Sequence, residues 1–278
     1  MKLYRSTTGI IIQEKEQCYI SGLTDWDALI NQDNLYSFLQ KHIQQLDIAG
    51  DGDWLLQQPL LVPIGTQEVW AAGVTYLRSK VARMEESEQT GGATFYDKVY
   101  DAERPELFFK ATARRTVGSG GLVRIRKDST WDVPEPELTL VVNSSSKIVG
   151  YSIGNDMSSR SIEGENPLYL PQAKMYDKCA GLGPCVLVTD EPIPPTTSIS
   201  IVIERAGQVM YEGQTSIDQM KRTHEELVGF LFRESSFPTG VYLMTGTCLV
   251  PGNDFTLQQN DKITISIEYI GTLINIVE

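Results

Sequence analysis

The sequence predicts an α+β protein, predominantly β, in which a small α/β unit over residues 1–62 precedes a larger β-rich domain over 63–278. Two observations carry the β content. Short runs rich in β-branched and aromatic residues recur at 186–188, 199–203, 208–211, 241–244 and 263–267, and Gly, Pro, Asn or Asp interrupts the chain around them. A third observation sets the boundary: Pro59 and Pro63 punctuate the chain soon after an amphipathic helical stretch.

In chain order, residues 9–13 and 18–20 read as a hairpin of short strands. Leu35, Phe38, Leu39, Ile43 and Leu46 then recur at helical spacing, with Asp33 as the expected N-cap. His42 stands at the edge of that stripe, where a half-buried structural role is expected. Residues 69–74 form an apolar run that opens the larger domain as a buried strand. The stretch 80–92 carries Lys, Arg and Glu with few large apolar residues and ends in Gly91-Gly92, so a charged helix or a lid over bound substrate is expected. Gly118 to Gly121 is read as a turn and not as a phosphate loop, because 122–126 after it looks like a strand whereas that motif opens a helix. The strand pattern of 136–142 returns as 147–153 after the turn-forming Asn143-Ser144-Ser145-Ser146. His224 falls in a helical stretch with Met220, Leu227, Val228 and Leu231, again in a structural place.

Composition narrows the function. With 278 residues, 41% hydrophobic and 22% charged, the chain can bury a sizeable core and lacks the signature of disorder. A formal charge of −12 leaves no basic surplus for phosphates, which argues against nucleic acid and against an anionic membrane. No run of about 18 apolar residues occurs and the first residues form no apolar signal region, so a soluble cytoplasmic protein is expected. Cys18, Cys179, Cys185 and Cys248 have no C-x-x-C spacing and sit among apolar neighbours, as buried free thiols do.

The chemistry-bearing residues centre on Glu135-Pro136-Glu137. Residues two apart on a strand face the same way, so both carboxylates share one small volume, and like charges that close call for a cation between them or a proton on one. Asp156, at the end of the returning strand, offers a third oxygen ligand. Three carboxylates without a His or Cys cluster favour Mg²⁺, with Mn²⁺ or Ca²⁺ as alternatives, over zinc. Patterning alone also fits a solvated Glu-x-Glu face.

Glu135-x-Glu137, Asn155-Asp156-x-Ser158-x-Arg160, Lys174-x-Tyr176-Asp177 leading to Leu182-Gly183-Pro184, and Thr245-Gly246-Thr247 resemble the fumarylacetoacetate hydrolase family in order and spacing, over about residues 60–278. Tyr96 to Asp101, Arg104-Pro105-Glu106 through Thr112, and Glu165 to Gln172 resemble its 2-keto-3-deoxy-D-arabinonate dehydratase branch. The resemblance implies a mixed β-roll catalytic domain in a homodimer or homotetramer. It also implies Glu135, Glu137 and Asp156 as metal ligands, Lys174 as the active-site lysine, and Arg160 and Thr247 near a small 2-keto acid substrate, with Gln172 and Tyr169 as weaker candidates. Glu106 is the best further carboxylate for acid or base work, and Lys110 after it is placed to pair with a carboxylate. Where the family's hydrolases carry a water-activating His-x-x-Glu dyad, this chain has Ser79 and Ala82, and neither side chain can do that work. The implied reaction is metal-dependent dehydration of 2-keto-3-deoxy-D-arabinonate to 2-oxoglutarate semialdehyde through an enolate that the metal stabilises. An acylpyruvate-type C–C hydrolase, an oxaloacetate decarboxylase and a sugar-acid binding or regulatory protein stand as alternatives.

Overall fold

The computed structural model describes residues 1–78 and 98–278. The charged stretch 80–92 and the departures at Ser79 and Ala82 lie outside the described residues. Among the described residues, an eleven-stranded sheet runs Gln17–Ile20, Gly9–Glu14, Lys2–Ser6, Ala180–Leu187, Ile148–Asp156, Pro136–Val142, Val241–Met244, Glu68–Gly73, Glu106–Thr112. Leu60–Leu61 pairs with Lys2–Ser6, and Thr116–Val117 with Ala180–Leu187. Most pairs are antiparallel; Val241–Met244 with Glu68–Gly73 is parallel.

This sheet is rolled. Four strand-to-strand steps separate Ile148–Asp156 from Glu106–Thr112, roughly 19 Å if flat, far beyond the reach of one lysine side chain. Yet Lys110 Nζ lies 2.5 Å from Asp156 Oδ1. A bulge assists the contact: Val69 faces Ala111 and Trp70 faces Phe109, so Lys110 is the extra residue, and bulges re-aim side chains in this way. Lys110 is fully buried.

A second sheet, in the order Gln208–Ser216, Ser198–Arg205, Lys262–Ile267, Gly271–Val277, Leu122–Val123, lays Ile199, Ile201, Ile203, Ile263, Ile265 and Leu273 into the same core. Asp132–Val133 and Ser158–Ser159 form a short ladder beside the acid strand. The strand of segment 1–62 that begins at Lys2 sets Leu3 opposite Val186, and Trp26 Nε1 donates to Tyr242 Oη at 3.3 Å, so the strands of this segment extend the main sheet itself.

Several elements differ from expectation in their bounds. The helix is Leu35–Ile43, and its N-cap is Asn34; Asp33 instead accepts from Asn143 Nδ2 at 2.8 Å and Lys147 Nζ at 2.6 Å, a pairing with a distant turn that outcompetes the local cap. The strand expected over 122–126 is confined to Leu122–Val123, whereas the one expected over 208–211 continues to Ser216. All four cysteines are buried and free. His42 Nε2 lies 2.8 Å from Ser21 O, and His224 begins the helix His224–Leu231, where burial lowers its pKa.

Candidate active site

Register explains why three carboxylates meet. Glu135 and Glu137 flank Pro136 on one face, the backbone N–H of Asp156 donates to Glu135 O at 2.9 Å, and Gly154 sits opposite Glu137. Asp156 is thereby set across from Glu135 on the same face. One oxygen from each of Glu135, Glu137 and Asp156 lies within 4.8 Å of the others, and all three residues are buried. A Cβ on Gly154 would come 2.5 Å from Thr139 Oγ1 and 2.9 Å from Met244 Cε, so glycine leaves the strands their close approach.

Three cations surround the acids. Lys174, at the end of the helix Leu170–Lys174 and fully buried, donates from Nζ to Glu135 Oε2 at 2.7 Å, Asp156 Oδ2 at 3.1 Å and Ser158 Oγ at 2.5 Å. Arg160 Nη2 donates to Glu135 Oε1 at 2.6 Å. Lys110 binds the other oxygen of Asp156 and donates to Met157 O at 2.8 Å and Lys174 O at 2.5 Å, which fastens the acid strand to the end of the lysine helix. Buried charges persist only with such partners. Glu137 receives a backbone donor from across the roll, Gly246 N–H at 2.6 Å. Burial, then the charges of Asp156 and Glu135, push its carboxyl well above the usual range. Gly246 has φ +93°, and a Cβ there would meet Thr75 Oγ1 at 2.1 Å, so both backbone and space demand glycine.

The three acids, Lys174, Arg160 and Gly246 line a cavity of about 20 Å³, walled also by Ala72, Gly73, Val74, Phe108 and Thr247. That space exceeds the ~10–15 Å³ a water-sized occupant needs. A set of three carboxylates with no His or Cys in so small a space fits a hard divalent ion of the Mg²⁺ kind. Glu106 opens the strand Glu106–Thr112 opposite Gly73, two residues before the cavity-lining Phe108. Thr247 Oγ1 accepts from Leu249 N at 3.1 Å, which leaves its O–H to donate. Gln172 and Tyr169 are exposed and do not line the cavity.

Sequence reasoning gave no role to Ser158, Glu163, Gly246 or Phe108. Ser158 and Gly246 stand inside the recognised motifs, but hydroxyl and backbone partners leave no charge pattern to notice. Glu163 is 1% exposed and its Oε2 lies 3.9 Å from Arg160 Nε, a contact that the i,i+3 spacing on one helix could have indicated. Phe108 places its ring 5.8 Å from Lys174 Nζ, a cation–π distance.

The chain resembles known proteins along most of its length. A probable 2-keto-3-deoxyxylonate dehydratase of Haloferax volcanii is 51% identical over 234 residues, 84% of this chain and 78% of that protein. A 2-dehydro-3-deoxy-D-arabinonate dehydratase of Saccharolobus solfataricus is 45% identical over 214 residues, 76% of this chain and 72% of that protein. A solved structure of 2-keto-3-deoxy-D-arabinonate dehydratase complexed with magnesium and 2,5-dioxopentanoate superposes with a TM-score of 0.84 at 36% identity, covering 100% of this chain and 99% of that one. The family model described as fumarylacetoacetate (FAA) hydrolase C-terminal matches residues 69–278. With its rolled sheet and buried acids, the chain belongs to the fumarylacetoacetate hydrolase family.

Proposed function

We propose that the protein is a Mg²⁺-dependent hydro-lyase that converts 2-keto-3-deoxy-D-arabinonate into 2,5-dioxopentanoate, which is 2-oxoglutarate semialdehyde. The buried triad of Glu135, Glu137 and Asp156, in a chain this close to two dehydratases, carries the reading. Within the D series, the two relatives' names describe one compound. Oxidation at C2 and loss of oxygen at C3 erase the configurations that separate D-xylonate from D-arabinonate, and only C4 remains.

Glu135, Glu137 and Asp156 are the proposed ligands. A divalent ion there supplies a Lewis acid for the substrate's keto oxygen, which acidifies the C3 hydrogens. Lys174 and Arg160, already turned to the cavity, orient the substrate's carboxylate, and the Thr247 hydroxyl donates to a substrate oxygen. Glu106 takes the C3 proton and returns one as the C4 hydroxyl departs as water. The resulting C3–C4 alkene becomes the product when a proton leaves C5, one is added at C3, and the C4–C5 enol ketonises to the aldehyde. Atoms balance with one water lost. Gln172, outside the cavity, is left for the outer C5 hydroxyl.

Residues 1–62 are proposed as a small N-terminal unit whose strands extend the sheet and support the roll; none of them lines the cavity. A homodimer or homotetramer is proposed, to be read by light scattering. Among the described residues no helix is long and apolar enough to cross a membrane. The deciding assay follows aldehyde formation from the D-sugar acid by metal-stripped protein before and after Mg²⁺ is restored, with its enantiomer at C4 and an acylpyruvate alongside. Metal-dependent aldehyde is the expected result. Pyruvate from the acylpyruvate without aldehyde would replace dehydration by hydrolysis.

A further inference from the structure

Gly73 ends the strand Glu68–Gly73 and pairs with Glu106, the first residue of the neighbouring strand. A Cβ built on Gly73 would lie 2.1 Å from Glu106 Oε2, 2.5 Å from its Cδ and 3.2 Å from its Cγ. The Glu106 side chain therefore occupies the volume that any other residue at 73 would fill. The backbone does not require glycine there, because Gly73 is not among the residues with positive φ. The neighbour shows the contrast: Val74, β-branched and buried, is held at φ +52°, a conformation that costs such a residue of order 1–3 kcal/mol. The chain thus keeps a strained valine where glycine would relax it, and a glycine where the dihedrals admit any residue. Gly73 and Val74 both wall the acid cavity, beside Glu135, Glu137 and Lys174.

We propose that Gly73, which walls the cavity, is a positioning residue whose missing side chain forms the seat of the Glu106 carboxyl. Filling that seat pushes the carboxyl away while leaving the acid triad in place. The atoms in conflict are the far end of a flexible side chain, so the fold tolerates the change at small cost. A carboxyl moved by about 1 Å loses about 10²-fold in rate when it must meet a reacting proton. This inference rests on the acid–base role proposed for Glu106.

The test compares Gly73→Ala, Glu106→Gln and the double variant as Mg²⁺-loaded enzymes, with Mg²⁺ affinity measured by calorimetry and kcat followed across pH. Gly73→Ala is expected to keep its Tm and its Mg²⁺ affinity within about 2-fold, to lose about 10²-fold in kcat, and to shift the acidic limb of the kcat profile. The double variant is expected to be no slower than Glu106→Gln, since one displaced group cannot be removed twice. A parental kcat for Gly73→Ala, with Glu106→Gln slow, overturns the seat alone. Multiplying losses, or a loss of Mg²⁺ affinity, overturns it too by placing the effect of Gly73 outside Glu106. A parental kcat for Glu106→Gln removes the acid–base role itself, and the seat with it.

Discussion

Strand Pro136–Val142 is buried at every residue, while Lys262–Ile267 alternates between buried and partly exposed positions. Both are central strands of their sheets. The second has one wet face and can discharge its polar residues there; the first has none, so a charge on it must find a counter-charge inside the protein. The difference reappears in the ion pairs. Lys174 and Glu135 are matched within a closed network, whereas Lys262 Nζ meets Glu204 Oε2 at 2.9 Å with side chains 47% and 30% exposed. Charge is a working part in the roll and a solvated ornament on the second sheet.

Substitutions sharpen that contrast. Glu137→Gln is expected to abolish Mg²⁺ binding and reduce turnover by roughly 10³-fold, because one of the three proposed carboxylate ligands becomes a neutral amide. Metal-free Tm should move less than Mg²⁺ affinity, since burial and the charges of Asp156 and Glu135 already disfavour the ionised form of Glu137; calorimetry with Mg²⁺ and a thermal melt read the two halves. Retained Mg²⁺-dependent turnover at the parental rate would remove Glu137 from the ligand set. Lys110→Met leaves Asp156 Oδ1 and two carbonyls without the cation that holds them, and is expected to cost about 3–5 kcal/mol in urea unfolding. A loss below 1 kcal/mol would mean that the roll does not depend on this clamp.

Asp132 gives a pH-dependent case between these extremes. Its carboxyl is pushed up to about 6, chiefly by burial, against hydrogen bonds from Ser129 and Arg126 that favour the ionised form. A carboxyl raised above its unfolded value of about 3.9 contributes stability that is complete below pH 4 and lost as pH rises through 6. Asp132→Asn should therefore stabilise the protein at pH 8 by about 1–2 kcal/mol and flatten the stability profile between pH 4 and 7. An unchanged slope in melts across that range would count against the assignment. Smallest of all, Lys262→Gln should change stability by no more than about 0.2–1 kcal/mol and leave turnover untouched.

The same contrast governs what can be read from sequence. Ile199, Ile201 and Ile203 alternate with more exposed residues, and that period announces a strand with one wet face. Pro136–Val142 shows little alternation because both faces are dry, and Glu135 with Glu137 reads as readily as a solvated pair. Only the motif order pointed to a site. Spacing could place Glu135 beside Glu137, but the 2.5 Å approach of Lys110 to Asp156 depends on the rolling of the sheet and on a bulge, neither of which leaves a local mark. Asp33 failed as a cap for a similar reason: its partners, Asn143 and Lys147, are remote in sequence. The seat of Glu106 is hidden more deeply still, since a glycine at a strand end suggests a turn.

Order of synthesis gives the roll a further consequence. Leu3 pairs with Val186, and Glu68–Gly73 lies parallel to Val241–Met244. The hairpins of residues 2–14 and 136–156 can form as soon as they emerge, but their free edges find partners only when later strands arrive. At about 5–20 residues per second, the nascent chain carries unpaired strand edges for many seconds. Folding dominated by such distant pairings is slow and exposed to aggregation. The topology that buries three carboxylates beside three cations therefore also leaves β-edges open until the last strands are made.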